Sequence, residues 1–174
     1  MTEAEQSWPE AVYRELLRAD VRQVGYVPDS GISRLIELCH AGATTTAVSL
    51  TTEEEGIALL AGAWLGGQRG VLLMQSSGIG NCINMLTLTR ACRFPLLMIV
   101  TMRGQPGETN PWQLPMGGIT ADVLGLAEVS VREAATADSI AGYVAEAARA
   151  AFDGPAAAAV LIAQSVIGVK VFED

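Results

Sequence analysis

The stretch RGVLLMQSSGIGN, Arg69 to Asn81, decides the fold. Val71 to Met74 is an unbroken apolar run. Successive strand residues point to opposite faces, so such a run needs both faces covered, as in a parallel sheet flanked by helices. The small residues of SSGIGN then read as a tight strand-to-helix turn, with a helix continuing to about Arg90. Working outward, the alternation repeats. VGYV (24–27), TTTAVSL (44–50), FPLLMIVTM (94–102), AEVSV (127–131) and AAAAVLIA (156–163) read as strands. Between and around them, helices are expected at Trp8–Arg18, Ile32–Cys39, from the glutamates at 53–55 onward, at Ala121–Leu126 and at Asp138–Phe152. Strands alternating with helices give an α/β fold, a doubly wound, mainly parallel sheet with helices on both faces. Ligands on such sheets gather at the carboxyl ends of the strands. Here those ends carry VPDSG, SLTTEEE, MQSSGIGN and the proline- and glycine-rich RGQPGETNPWQLPMGG (103–118), which is too long for a plain connector.

The 174 residues suit a single domain spanning 1–174. Half of them are hydrophobic and 17% charged, below the usual quarter of soluble proteins. No apolar run reaches the ~18–20 residues of a membrane span. An apolar, charge-poor domain points to surface covered by another chain. The net charge of −8 argues against nucleic acid. Cys39, Cys82 and Cys92 have no CxxC spacing, and MTEAEQSWPEA (1–11) has no leader pattern. Reduced, mostly buried thiols in a cytoplasmic protein are expected. The single histidine, His40, is too little for a histidine-based metal site and reads as a polar helix end before Gly42.

Three carboxylates, Glu53, Glu54 and Glu55, head a segment with no further charge before Arg69. Thr51 with Glu54, or Thr52 with Glu55, makes a capping box, and all three suit the positive end of a helix dipole. The helical period separates them. Glu54 shares a face with Ala58, Ala61 and Leu65, and Glu53 is in line with Ile57, Leu60 and Trp64. Small residues behind Glu54 admit another backbone or a flat ligand, and the desolvation this brings would raise the carboxyl pKa into the range of proton exchange. On this reading Glu53 and Glu55 are helix-end charges. SSGIGN lacks the third glycine of a dinucleotide fingerprint and the lysine of a P-loop. VPDSG reads as a turn with Asp29 or Ser30 as helix cap. No GxSxG elbow is present.

Together, VPDS (27–30), TTEEEGIALLAGAW (51–64), LMQSSGIGNCIN (73–84) and RGQPGE with MGGIT (103–120) resemble the pyrimidine-binding (PYR) domain of thiamine diphosphate enzymes. The likeness is to the sulfopyruvate decarboxylase α-subunit family and the matching half of phosphonopyruvate decarboxylase, and it runs from about Val24 to Ile167. The resemblance implies a glutamate against N1′ of the cofactor's aminopyrimidine, and its register places this role on Glu54 as catalytic and cofactor-binding residue. It implies Pro28 and Ser77 against the cofactor ring, and Asp29, Ser30 and Gln113 on the substrate side. The implied reaction is decarboxylation of a substituted pyruvate to an aldehyde and CO2.

The family holds Mg2+ and the diphosphate with a GDG motif and a later asparagine on a second domain. This chain has no GDG. The resemblance therefore implies a split enzyme, with a β subunit carrying metal and diphosphate in a hetero-oligomer such as α2β2 or larger. PWQLPMGGIT stands where the family has PQHVVMGRIT, so a histidine is replaced by Gln113 and an arginine by Gly118. That weakens the case for a doubly anionic substrate tail and leaves Arg103 as an anion partner. A carboligase subunit of the acetolactate or benzoin type and a non-catalytic regulatory subunit of the same fold stay open as alternatives.

Overall fold

The computed structural model describes residues 7–168. Residues 1–6, with most of the stretch read above for a leader, and residues 169–174 lie outside the described ones. In chain order the elements are α1 (Trp8–Arg18), β1 (Val21–Tyr26), α2 (Ser33–Ala41), β2 (Thr46–Ser49), α3 (Glu53–Leu65), β3 (Arg69–Gln75) and α4 (Ser76–Cys92). They continue with β4 (Leu96–Thr101), a single 3-10 turn (Pro111–Gln113), α5 (Leu114–Leu126), β5 (Ser130–Ala134), α6 (Ala137–Asp153), β6 (Ala157–Ile162) and α7 (Gln164–Ile167). The six strands form one sheet in the order β2-β1-β3-β4-β6-β5, and every pairing is parallel. The expected doubly wound fold is present.

Alternation along the strands builds two cores. Val71 and Leu73 of β3, Leu97 and Ile99 of β4, and Val160 and Ile162 of β6 face α1, α2 and α6. Leu72 and Met74, Met98 and Val100, and Ala159 and Leu161 face α3, α4 and α5. Burial of each leucine or methionine is worth about 1.5–3 kcal/mol, so the central strands, buried along their whole length, carry much of the stability. Gly56 lets α3 lie close on β3, because a Cβ there would overlap the Leu72 side chain.

Three expectations need correction. The SSGIGN segment is no separate turn, since α4 starts at Ser76, directly after β3. The Pro-Gly-rich stretch is loop only to Asn110, because α5 begins at Leu114 and not near Ala121. Pro115 sits in its first turn, where the missing N–H costs nothing. The fifth strand is displaced from AEVSV to Ser130–Ala134, since Ala127 to Val129 bond back onto α5 and complete its C-terminus.

Candidate functional site

The strand order reverses at β1, which pairs with β2 on one side and β3 on the other. This is the switch point where open α/β sheets form a crevice. The loop after β1 (VPDSG) and the start of α4 (SSGIGN) flank it, and α3 begins beside them.

The three glutamates have three different environments. Glu53 is buried, at 8% exposure. Its Oε2 accepts the Asn81 side-chain amide at 2.7 Å. Its Oε1 faces the glycine at position 78, where a Cβ would fall 2.6 Å away. Glu54 is exposed, as is Ala58 behind it, and Leu65 at the end of the same face is 88% exposed. Glu55 accepts the N–H of Thr51, one residue before the N-cap Thr52, at 2.8 Å, so neither expected capping box forms. The Thr52 hydroxyl, buried, makes no hydrogen bond. The small-residue face of Glu54 is thus open in the single chain. Among the described residues none covers it, and the inward carboxylate is Glu53, which was read as a helix-end charge. The helix period explains this: Glu53 lies one turn before Ile57 and two before Leu60, both in the core.

Asp29 is also turned inward. Gly31 N–H donates to Oδ2 at 3.1 Å, Thr101 Oγ1 to Oδ2 at 2.8 Å, Gln75 Nε2 to Oδ1 at 3.2 Å and Arg103 Nη2 to Oδ1 at 3.0 Å. Burial pushes its pKa upward, but the hydrogen bonds from Arg103 and Thr101 and the Arg103 charge outweigh it and hold the carboxyl below its ordinary value. The expected helix cap at Asp29 or Ser30 is replaced by this turn, since α2 is preceded by Ile32 with no side-chain cap. Ser77 Oγ donates to Gln75 Oε1 at 2.7 Å, so Ser77, Gln75 and Asp29 form one chain of contacts. Pro28 and Ser30 are exposed at the mouth of the crevice. Arg103, read above as a free anion partner, is buried and paired with Asp29, its side chain 5% exposed.

Gln113 ends the 3-10 turn, and its Oε1 is buried without a partner. Its backbone packs on Gly104, whose φ of +73° requires glycine. The loop before it is pinned by Glu108, which accepts from the Asn110 and Gly104 N–H groups and from Gln164 Nε2. Gln164 and Gln105 exchange backbone-to-side-chain hydrogen bonds of 3.0 and 2.8 Å. The site thus joins Glu53, Asn81, Ser77, Gln75, Asp29, Ser30 and Arg103 along one edge, with Gln113 reached through the Arg103–Gly104 segment. Sequence reading missed Gln75, Thr101 and Asn81. Their only signal was position at strand ends and one turn into α4.

Elsewhere, His40 bonds the Tyr26 hydroxyl at 2.8 Å. Burial pushes the Cys39 and Cys82 thiols up to about 12, which leaves them protonated and inert. Among the described residues no group of three or more His, Cys, Asp or Glu is placed to hold a metal, and no helix is long and apolar enough to cross a membrane.

No protein-family model matches the chain. The sulfopyruvate decarboxylase subunit alpha of Methanothermobacter thermautotrophicus is 37% identical over 124 residues, covering 71% of this chain and 75% of that one. The same subunit of Methanococcus maripaludis is 36% identical over 121 residues, 69% of this chain and 72% of that one. The phosphonopyruvate decarboxylase of Streptomyces viridochromogenes is 41% identical over 111 residues, which is 63% of this chain but 28% of that protein. Among solved structures, a 2-oxoglutarate:ferredoxin oxidoreductase from Magnetococcus marinus superposes with a TM-score of 0.73 over 92% of this chain and 29% of that one, at 16% identity, a likeness of fold. With identity above one third over most of both chains, this protein belongs to the sulfopyruvate decarboxylase α-subunit family.

Proposed function

We propose that the chain, as one PYR-type domain, is the α subunit of a split thiamine diphosphate-dependent decarboxylase that converts a substituted pyruvate to an aldehyde and CO2. The observation that carries this reading is the glutamate-headed start of α3, Glu53 inward and Glu54 on the open face, beside the sheet's switch point in a chain similar to sulfopyruvate decarboxylase α subunits.

The site has unfilled hydrogen-bonding capacity. Gly78 makes room for the Glu53 side chain, which lies where a Cβ would stand. Thr52 and Gln113 each hold a buried oxygen without a partner. When bound, thiamine diphosphate supplies the nucleophilic carbon that adds to the keto group and the ring that takes up the electrons released with CO2. Glu54, on the family register and on the face left open to a partner, would hold a proton at the aminopyrimidine N1′. Glu53, bonded to Asn81 and packed on Gly78, would fix the start of α3 beneath it. Pro28 and Ser77 would line the ring, and Ser30 and Gln113 would meet the substrate. Asp29, with both oxygens engaged by its own chain, would act through the shape of its loop. Mg2+ and the diphosphate would be held by a partner β subunit with the GDG and asparagine residues that this chain lacks.

The test is activity after reconstitution with the partner subunit. Glu54→Gln is expected to lower kcat at least a hundredfold, in line with loss of a general acid–base group, and Glu53→Gln by a smaller factor. The reverse pattern would give the role to Glu53. Unchanged activity in both variants would make the chain a regulatory subunit. Recovery of an acyloin in place of the aldehyde would make the enzyme a carboligase.

A further inference from the structure

Arg103 lies where the loops of the candidate site meet. Its Nη2 donates to Asp29 Oδ1 at 3.0 Å and lies 3.5 Å from Ser30 Oγ, and its Nη1 reaches the Gly168 carbonyl at 3.4 Å. Its backbone N–H donates to Ser76 Oγ at 3.0 Å. One residue at the end of β4 is thereby tied to the loop after β1, the first residue of α4 and the segment after α7. Asp29 extends the brace to Gln75 and Thr101. With the side chains of Arg103 and Asp29 5% and 7% exposed, neither charge is solvated, and each depends on the other for compensation.

A guanidinium that received an anionic substrate would need a face open to the crevice and a charge not already neutralised. Arg103 has neither, and its remaining Nε is buried without a partner. We propose that Arg103 is a positioning residue: paired with Asp29, it fixes the spacing between the Pro28–Ser30 loop and the start of α4, on which Ser77 and Gly78 stand. It does not itself bind the substrate's anionic group. The kinetic consequence rests on the decarboxylase reading above, whereas the pairing does not.

The test compares Arg103→Met and Arg103→Lys in the enzyme reconstituted with its partner subunit, using pyruvate and 3-phosphonopyruvate as substrates. Arg103→Met should lower kcat/KM at least tenfold, and by the same factor for both acids, because displaced loops affect every substrate alike. Arg103→Lys, which keeps the charge beside Asp29, should recover much of the loss. A loss confined to phosphonopyruvate would make Arg103 a direct anion partner and overturn the proposal, as would unchanged kcat/KM in Arg103→Met. A second measurement needs no activity. In thermal unfolding of the full chain, Asp29→Asn/Arg103→Met should melt well above the sum of the two single losses, because each single change strands a buried charge. Additive losses overturn the pairing. Should the wild type turn over neither these acids nor 3-sulfopyruvate, the decarboxylase reading fails and the melting comparison still decides the pair.

Discussion

At the residue scale, three adjacent glutamates of identical chemistry have separate fates because a helix turns by about 100° per residue. Glu53 falls on the core side, Glu54 on the open side, and Glu55 reaches back to the Thr51 N–H. Gly78→Ala tests the inward placement. Its Cβ would overlap Glu53, so the carboxylate must leave its contact with Asn81 while the buried strands are untouched. Decarboxylase activity should fall at least tenfold with melting changed by only a few degrees, as read by paired kinetics and circular dichroism. Asp29 gives a pH signature. Its pKa is depressed in the folded protein, so its contribution is present above the unfolded value of about 4 and is lost as pH falls through the lower folded value. Below about pH 4 the wild type should lose stability more steeply than Asp29→Asn, measured by urea unfolding across the acid range.

At the scale of elements, helix ends decide how the loops are delivered. Helix α4 starts on Ser76 without a spacer, which places Gly78 and Asn81 in its first two turns and so beside Glu53. Its far end closes on Arg93 in the left-handed conformation, φ 53° and ψ 48°, a position that favours glycine. Arg93→Gly is therefore expected to stabilise the protein by up to about 1 kcal/mol, seen as a higher urea midpoint with activity unchanged. Helix α5 is seated through Gly117, where a Cβ would come within 2.8 Å of the Arg103 carbonyl carbon. Gly117→Ala should displace the loop that carries Gln113. A rise in substrate KM of about tenfold, roughly the factor for 1.4 kcal/mol, is expected, and an unchanged KM would show that this seat is unimportant.

At the scale of the whole molecule, the two helical layers differ. The layer of α1, α2 and α6 is amphipathic, with polar residues outward. The layer of α3, α4 and α5 is apolar on most sides, as helices covered on both faces are. It carries the exposed Leu65, Ile83, Leu88, Ile119 and Leu126, and Gly62, Gly118 and Gly125 on it face open space. Glu54 and Ala58 stand on the same open side of α3. In the proposed split enzyme this layer is where a β subunit would dock. The full chain alone should then show little thermal shift with thiamine diphosphate and Mg2+, and a shift of several degrees once the partner is added. A strong shift without the partner would place the whole cofactor site on this chain.

Strand–helix alternation made the fold legible, because buried parallel strands need uninterrupted apolar runs such as Val71–Met74 and Leu96–Val100, and local composition records that directly. The sequence by itself also determined which loops crowd the carboxyl edge, since chain order and strand direction suffice for that. Which carboxylate turns inward was already implied by the line of Ile57 and Leu60, yet the open face of small residues behind Glu54 was equally compatible with a ligand. Packing against Gly78 and Asn81 fixed Glu53 inward and left Glu54 on the open face. The Asp29–Arg103 pair, 74 residues apart in the chain, has no local signal, and tertiary structure alone turned an apparent loop charge into a buried brace. Periodicity reports which face of an element is apolar, whereas the partner of a buried charge depends on which distant strand ends the sheet brings side by side.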